Sequence, residues 1–375
     1  MRDLFKNYIY PIVVFSGGMF GVGFLSLPYV AMKSGIWLTV FYFVILTALV
    51  AGINLIFAEI SLKTPDLKRF PGFANYHLGK WGGALAFLCT AIGTIGALLA
   101  YLIVGGQFLT SIFQPTFGGN ANLYTLLYFV AGSILVYLGI KIIAKVEIVV
   151  LGFLFLSLAL IFLQSFSLIK LGNIFPVVVD TKFNFLNLFL PYGPILFSLW
   201  GTGLIPEVEE MLGKNKRLLK KILLISTIAV PIVYILFTFL ILGITGAKTT
   251  ETALTGLGLL LGDGLMTLSL VAGVLATFTA FIMQGVILKE SLQYDFKIKH
   301  WQAFVMSSCV PLILFLLGFK SFITLVSLFG GFFLGISGIL ILLMYKKIGG
   351  KNIIIYPLSL VFLLGVIYEV IYFIK

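Results

Sequence analysis

Glycine and proline are concentrated in the middle of two long apolar runs of the sequence. The first run contains SGGMFGVGFLSLP at 16–28, and the second contains PYGPILFSLWGTGLIPEVEEML at 191–212. Both residue types are unfavourable inside a helix, so each run is predicted to hold a helix that breaks near its middle. A break frees backbone N–H and C=O groups, which can bind a charged solute. The two runs are therefore the first candidates for a binding site.

The elements that carry these runs must be membrane spans, because the chain is too apolar for a water-soluble domain. Its 375 residues are 61% hydrophobic and 10% charged, whereas soluble domains carry about 25% charged residues. Segments of about 20 apolar residues can cross a bilayer. Eleven are predicted, near 9–31, 36–61, 82–112, 122–141, 147–169, 187–211, 221–245, 264–288, 301–319, 321–345 and 353–374. With short connections, they predict an all-α polytopic membrane protein in which residues 1–375 form a single transmembrane domain.

Membrane topology also accounts for the net charge of +12. Most of the 25 Lys and Arg residues fall in connections on the same side as the N-terminus. This bias predicts a cytoplasmic N-terminus and a C-terminus outside. The NKRLLKK cluster at 215–221 is interpreted as part of this anchoring rather than as a lipid-binding site, and no nucleic-acid partner is predicted. Short tails favour a prokaryotic inner membrane, with the first span retained as a helix.

The sequence offers little for catalysis or metal binding. Cys89 and Cys309 lie in apolar segments, and His77 and His300 lie in polar connections. No metal site, cofactor or disulfide is predicted. Glu207 is nearly the only ionisable residue predicted at membrane depth, which argues against an enzyme. No ring of charged residues follows the spans, which argues against a channel.

The two interrupted runs are the first and sixth spans, so they cross the membrane in opposite directions. This pattern predicts an inverted repeat of five plus five helices, with repeat one at about 9–169, repeat two at about 187–345 and an extra helix at 353–374. Interrupted spans at matching places in two halves indicate the binding site of a transporter. Such breaks survive in a bilayer only beside a protein-lined cavity.

An amino acid zwitterion would present one charged group to each kind of helix end. N–H groups freed in the first span are expected to bind its carboxylate, and carbonyls in the sixth span its ammonium group. The backbone and side-chain candidates are Ser16, Gly17, Gly18, Gly21, Gly23, Phe197, Ser198, Gly201 and Gly203. Ser26 and Gln107 are weaker candidates. The alternative for the first span is close helix packing through Gly17-x-x-x-Gly21.

Two side chains of the sixth span could act on substrate or ion. Trp200 lies beside the break and could line the substrate site, or it could pack in the core. Glu207 could carry a coupling proton, or it could accept bonds from N–H groups of the broken first helix. The remaining carboxylates are predicted in other settings: Glu209 and Glu210 solvated near Lys214, Glu59 at the cytoplasmic edge and Glu369 at the membrane interface.

Several segments resemble the amino acid/auxin permease family of the APC superfamily. GVGFLSLPYVAMKSG is similar to the first-helix signature of that family, GALLAYLIVGGQFL to its third helix, FSLWGTGLIPEVEEML to its sixth helix and LKESLQYDFK to the loop after its eighth. The prokaryotic tyrosine and tryptophan permeases form the most similar branch. The resemblance implies a LeuT-type fold with broken helices one and six, and cation-driven amino acid uptake.

The resemblance also implies roles for individual residues. Tyr101 matches a family tyrosine and could bond the substrate carboxylate, or it could be a buried tyrosine that bonds a neighbouring helix. Thr279 matches the first of two hydroxyl residues that face the first helix in sodium-coupled relatives, but Ala280 replaces the second. Sodium needs several oxygen ligands, so proton coupling is favoured. Some proton-coupled relatives place a lysine in the fifth helix, where this chain has only Lys145, at the cytoplasmic edge.

The predicted function is therefore secondary active import of neutral or aromatic amino acids by cation symport. Spans one, two, six and seven are expected to rock against spans three, four, eight and nine around a site at the membrane midplane. The alternative is a sensor or exchanger without net coupled uptake. The expected partners are the substrate, the coupling ion and membrane lipids, with no obligate protein partner.

Overall fold

The chain folds into a bundle of helices in the part that is described. The computed structural model describes residues 5–139, 143–175, 188–257, 263–294 and 296–374. After a π-helical turn at Phe5–Ile9, the α-helices are α1 (Tyr10–Met19), α2 (Gly23–Ser34), α3 (Ile36–Lys63), α4 (Phe70–Leu78), α5 (Lys80–Phe117), α6 (Ala121–Leu138), α7 (Ile143–Ser165), α8 (Leu171–Ile174), α9 (Tyr192–Leu199), α10 (Ile205–Leu212), α11 (Leu219–Thr245), α12 (Leu254–Leu257), α13 (Asp263–Tyr294), α14 (His300–Leu316), α15 (Phe322–Leu328), α16 (Leu334–Lys347) and α17 (Asn352–Ile374).

Some residues used in the topology prediction lie outside this description. They are Arg2, Lys141, Lys182 and Lys375, one end of each of the predicted spans 122–141 and 187–211, and the side chain of Lys145.

Seven helical stretches of the described residues are long and apolar enough to cross a membrane. They are Ile36–Lys63, Lys80–Phe117, Ala121–Leu138, Tyr192–Lys248, Met266–Tyr294, Phe322–Lys347 and Asn352–Tyr372. If the bent pair of α1 and α2 is counted as one span, the number of such stretches rises to 8. Gly152–Leu168 and His300–Leu316 are shorter apolar helices. The prediction of a multi-pass membrane protein is confirmed, and the count of eleven spans stays a prediction.

The first predicted break lies between α1 and α2, whose axes differ by 51°. Phe20 leaves the helical region with φ −74° and ψ 56°. The N–H of Gly21 then donates to the carbonyl of Met19 at 2.7 Å, which closes a tight turn. Pro28, inside α2, removes a further backbone donor from this span.

The second predicted break separates α9 from α10. Trp200 adopts an extended backbone with φ −79° and ψ 110°, and a 3-10 turn at Thr202–Leu204 precedes α10. Pro206 lies in the first turn of α10, where its missing N–H is tolerated. The Gly/Pro pattern therefore predicted both breaks correctly.

All six ion pairs of the described residues lie at one end of the bundle. We call this the ion-pair end. It contains the end of α3, the connection to α4, helix α10, the start of α11 and the end of α13. For example, Glu59 of α3 pairs with Lys220 of α11 at 3.1 Å. These are the segments predicted to be cytoplasmic.

Helix α4 was not expected from the pattern of spans. It buries Phe73 and Ala74 in the core, against Phe57 of α3. His77 belongs to this helix, and its Nε2 atom lies 2.9 Å from the hydroxyl of Thr64. The prediction that His77 lies in a polar loop is therefore wrong, because an amphipathic helix of nine residues covers this end of the bundle.

Two charged residues predicted near span ends are buried. Glu369 is 1% exposed and Lys289 is 4% exposed. The prediction that Glu369 is interfacial is therefore wrong, and Glu207 is not nearly the only buried ionisable group. Helix α17 turns the stripe Ile355, Phe362 and Gly365 toward the bundle, and Glu369 continues that stripe at helical spacing.

Replacement of Lys289 by methionine is expected to destabilise the protein by about 2 kcal/mol. The Lys289 ammonium donates to the carbonyls of Val136 and Tyr137, at 2.5 and 3.2 Å, and so caps the C-terminal end of α6. Thermal unfolding of the purified protein measures the effect. Lys299→Met, at an exposed position, should leave the midpoint unchanged. Equal midpoints for Lys289→Met and wild type would show that the cap adds no stability.

Candidate functional site

The two breaks place four helix ends around one point. Helices α1 and α9 bring their C-terminal carbonyls to it, and α2 and α10 begin there. No side chain caps the first turn of α2 or of α10. Uncapped N-terminal N–H groups favour an anionic ligand, and C-terminal carbonyls favour a cation. The sequence analysis expected freed N–H groups in the first span and freed carbonyls in the sixth, and in the structure each break has both kinds of helix end.

A tyrosine of α11 connects the two breaks. Tyr234 is fully buried, and its hydroxyl lies 2.5 Å from the carbonyl of Met19 and 3.2 Å from the carbonyl of Ser198. Its ring stacks on Phe24 of α2 with centroids 5.8 Å apart. The C-terminal ends of α1 and α9 are thus held to the same side chain. The sequence analysis did not single out Tyr234.

Bare glycine backbone allows the helices to meet at this point. A Cβ on Gly23 would lie 2.6 Å from the Ser198 hydroxyl, and a Cβ on Gly21 would collide with the Tyr101 hydroxyl. A Cβ on Gly201 would lie 2.9 Å from the Phe15 ring. Close packing, the alternative considered for Gly17 and Gly21, is therefore present at Gly21, which also lines the cavity described next.

A cavity of about 120 Å³ lies between the breaks. Nine predicted site residues line it: Gly18, Gly21, Gly23, Tyr101, Phe197, Ser198, Trp200, Gly201 and Gly203. Helix α5 adds Thr90 and Thr94, and α13 adds Gln284 and Ser291. The lining combines freed backbone, hydroxyl and amide groups, and aromatic rings. Such a mixture can hold a small solute that has both charged and apolar parts.

Other predicted residues do not line this cavity. Ser16 and Gly17 lie in α1 before Gly18, the first residue of the lining. The Ser26 hydroxyl donates to the carbonyl of Gly23 at 2.6 Å. Gln107 is exposed. Thr279 donates to the carbonyl of Ala276 at 3.2 Å, within its own helix.

Glu207 also lies outside the cavity lining, where it faces a cation. It is 9% exposed, and its Oε1 atom lies 3.2 Å from Nε of Arg69. A second carboxylate, Glu290 of α13, binds the same guanidinium at 3.0 Å. Burial opposes the charge of Arg69, but Glu207 and Glu290 outweigh it and raise the pKa of Arg69. The guanidinium therefore stays charged and joins α10 to α13.

Arg69 separates the central cavity from a second, wider one. Both cavities include Arg69 and Pro71 in their lining. The second has a volume of about 760 Å³ and opens at the ion-pair end, where Lys68, Lys80 and Tyr294 line it. Opening of the arginine contacts would join the two cavities into one path. The sequence analysis counted Arg69 only as a basic loop residue.

Glu209 has a different environment from the one predicted. It is 2% exposed, accepts a hydrogen bond from the Ser61 hydroxyl, and pairs with Lys216 at 2.6 Å. The prediction that it is solvated is wrong, because α10 turns Glu209 toward α3 while Glu210 points outward. Glu210 is exposed as predicted.

Sequence reasoning could have found part of the remaining lining. Thr94 and Gln284 are polar residues within long apolar helices, and such residues tend to face a cavity. Tyr234 and Arg69 gave no comparable signal. Arg69 and Glu290 are 221 residues apart in the chain, Tyr234 and Met19 are 215 apart, and Tyr234 and Ser198 are 36 apart.

Comparison with known proteins identifies both the family and the fold. The model of the tryptophan/tyrosine permease family matches residues 6–348. The structure is similar to that of MhsT in complex with L-phenylalanine, with 14% identity, 97% coverage of both chains and a TM-score of 0.69. It is also similar to Mhp1, a nucleobase-cation-symport-1 family transporter in a closed conformation with bromovinylhydantoin bound, with 13% identity, coverage of 97% of this chain and 90% of that chain, and a TM-score of 0.71.

Both solved structures are LeuT-fold transporters, which shows the fold of this chain. No curated protein matches the sequence. The family model covers most of the chain, and it describes a family of amino acid permeases rather than of enzymes. The chain therefore belongs to the tryptophan/tyrosine permease family.

Proposed function

We propose that this protein is a secondary active transporter that imports aromatic or other neutral amino acids by proton symport. The observation that carries the proposal is the cavity between the two helix breaks, where freed N–H groups and freed carbonyls face one space. A zwitterion has one charged group for each. The family supports an amino acid as the solute. The basic connections at the ion-pair end support a cytoplasmic N-terminus.

The lining of the cavity supports an aromatic or large neutral side chain. Phe197 and Trp200 provide ring faces. Gly93 and Ala97 of α5 lie on the same lining and contribute almost no side-chain volume, which leaves room for a substrate ring. No Lys, Arg, Asp or Glu except Arg69 is among the described residues that line the cavity. A charged substrate side chain would therefore lack a partner deep in the site.

Arg69 is proposed to be the gate at the cytoplasmic end. It lies where the central cavity meets the wider one, and it links helix α10, which follows the break, to α13. Neither oxygen of Glu207 has a hydrogen-bond partner in the described structure, so the contact with Arg69 is an ion pair without a well-aligned hydrogen bond. A movement of α10 can break such a contact more easily than a bidentate one.

The eighth-span region supports proton rather than sodium coupling. Ala280 is buried and offers no side-chain oxygen, and the Thr279 hydroxyl is directed to its own helix. The carbonyl of Met19, at the end of α1, already accepts from Tyr234. A sodium ion requires several oxygen ligands, and these contacts leave few of them available.

Uptake into proteoliposomes tests this function. Purified protein is given labelled tryptophan, tyrosine, phenylalanine, leucine and lysine, with an inward proton gradient alone or an inward sodium gradient alone. We expect accumulation of the aromatic substrates, driven by protons and absent from protein-free vesicles. Accumulation that requires sodium would overturn the proton assignment. Exchange without net accumulation, or binding without transport, would instead identify an exchanger or a sensor.

A further inference from the structure

A buried carboxyl lies between the first half of the broken sixth span and the last helix. Glu369 of α17 is almost completely buried. It faces Gly193, in the first turn of α9, and Gly331, in a π-helical turn at Phe329–Phe333 between α15 and α16. A Cβ on Gly193 would lie 2.7 Å from Oε1 of Glu369, and a Cβ on Gly331 would overlap its carboxyl group. The carboxyl therefore rests on the bare backbone of two glycines.

This carboxyl has no cationic partner among the described residues. None of the ion pairs includes Glu369, and its Oε2 atom has no hydrogen-bond partner. The titratable groups beside it are tyrosines: Tyr192 of α9 and Tyr368 of α17 interact with Glu369, and Tyr42 of α3 and Tyr372 of α17 lie near those two tyrosines. Tyrosines are neutral at physiological pH. A buried carboxylate without a cation is strongly unfavourable, so these surroundings fit a carboxyl that has bound a proton.

The carboxyl is one helical turn away from the central cavity. Phe197 follows Gly193 by one turn of α9, and Leu334 follows Gly331 by one turn on the way into α16. Both Phe197 and Leu334 line the cavity. On the other side of Glu369, toward the end opposite to the ion-pair end, the rings of Phe189 and Tyr368 stack with centroids 5.1 Å apart. Glu369 thus lies between the outer end of the bundle and the substrate cavity.

We propose that Glu369 is the proton-binding site that couples the proton gradient to transport. The proposal rests on the proton symport proposed above. One proton from the outer water binds the carboxylate, and the neutral carboxyl packs against the two glycines and holds α9 on the π-helical turn. When the cavity opens toward the ion-pair end, the same proton leaves to the water in the cavity. The charged carboxylate must then be hydrated, so α9 separates from the π-helical turn.

Glu369→Gln tests the proposal because the amide has the shape of the protonated carboxyl and cannot lose a proton. We expect proton-driven accumulation to fall by at least about tenfold, while exchange of labelled for unlabelled substrate stays within about twofold of wild type. Glu251→Gln is the matched control, since Glu251 is an exposed carboxylate in the connection after α11. It should accumulate substrate like wild type.

Infrared spectroscopy gives a readout that does not depend on transport. Wild-type protein should show the C=O stretching band of a protonated carboxyl, and Glu369→Gln should lose it. Glu369→Asp keeps a titratable carboxyl, so it should shift the band and not remove it. This variant replaces Glu369→Gln in the infrared test if the glutamine variant does not fold. The proposal is overturned if the infrared spectrum of Glu369→Gln equals that of wild type, or if Glu369→Gln shows full proton-driven accumulation. Absence of amino acid transport by wild type would overturn the proposed function instead, and the infrared test would still decide whether Glu369 binds a proton.

Discussion

Gly21→Leu is expected to abolish amino acid uptake while the protein still reaches the membrane. The Cβ of any residue at position 21 points at the Tyr101 ring, with Cε1 and Cζ each 3.1 Å away, and the hydroxyl is closer still. A leucine side chain would have to displace Tyr101 or fill the cavity between the breaks. Overpacking of this kind costs about 1–3 kcal/mol, which corresponds to a loss of about fivefold to about 150-fold in the transport-competent population.

The experiment compares uptake in proteoliposomes with elution of the purified protein in size-exclusion chromatography. Gly152→Leu is the control, because a Cβ on Gly152 of α7 meets nothing within 4 Å. Gly21→Ala should give an intermediate loss of uptake. Normal uptake by Gly21→Leu would mean that the space beside Tyr101 is not on the substrate path.

Arg69→Met should both destabilise the protein and open the path at the ion-pair end. It leaves two carboxylates, Glu207 and Glu290, without their shared cation, and removal of one partner of a buried pair costs about 3–5 kcal/mol. Without the arginine contact, the central cavity should open to the wider one. Cys89 is buried and lines the central cavity, so its reactivity reports this opening. We expect its labelling from the ion-pair side to become about tenfold faster, which is about 1.4 kcal/mol of gate closure.

The labelling is measured with a membrane-impermeant maleimide in a Cys309→Ser background, so that Cys89 is the only thiol. Arg69→Lys keeps the charge but not the planar guanidinium that contacts two carboxylates. Its rate of Cys89 labelling should therefore lie between those of wild type and Arg69→Met. Lys63→Met is the control, because Lys63 pairs with Glu59 at an exposed position, where one ion pair adds little. A lower unfolding midpoint with unchanged labelling of Cys89 would show that Arg69 is structural and not a gate.

The sequence predicted the parts of the site that depend on local chemistry. The breaks at residues 20–22 and 200–201 follow from the residues at those places, since glycine and proline weaken a helix wherever they lie. The same residues then line the cavity, because freed backbone groups need a polar surrounding. Eight of the nine predicted residues that line the cavity lie beside these breaks, whereas Tyr101 was identified from the family resemblance.

The orientation of individual side chains could not be predicted in the same way. Glu209 and Glu210 are neighbours in the sequence, yet one is buried against Ser61 and the other is exposed. Successive residues of a helix point about 100° apart, so the rotation of α10 decides which carboxylate is buried. That rotation depends on packing against α3. For the same reason, the burial of Glu369 could not be found from its position near the end of a span.

Contacts between distant segments could not be predicted from the sequence either. Arg69 and Glu290 are 221 residues apart, and nothing in either segment indicates the other. The apolar spans nevertheless restricted where the charged residues could be. The ion pairs at one end of the bundle agree with that restriction, although their partners were not predicted.

The shared tyrosine hydroxyl makes the two broken helices compete for one hydrogen atom. Tyr234 has a single O–H, but the carbonyls of both Met19 and Ser198 are within its reach. The Met19 carbonyl also accepts from the N–H of Gly21, so it keeps a donor when the hydroxyl turns to Ser198. When the hydroxyl turns to Met19, the carbonyl of Ser198, a residue of the cavity lining, is free to accept from a donor in the cavity. Under the proposed function, the ammonium group of an amino acid would be that donor, and binding would be coupled to the orientation of one tyrosine hydroxyl.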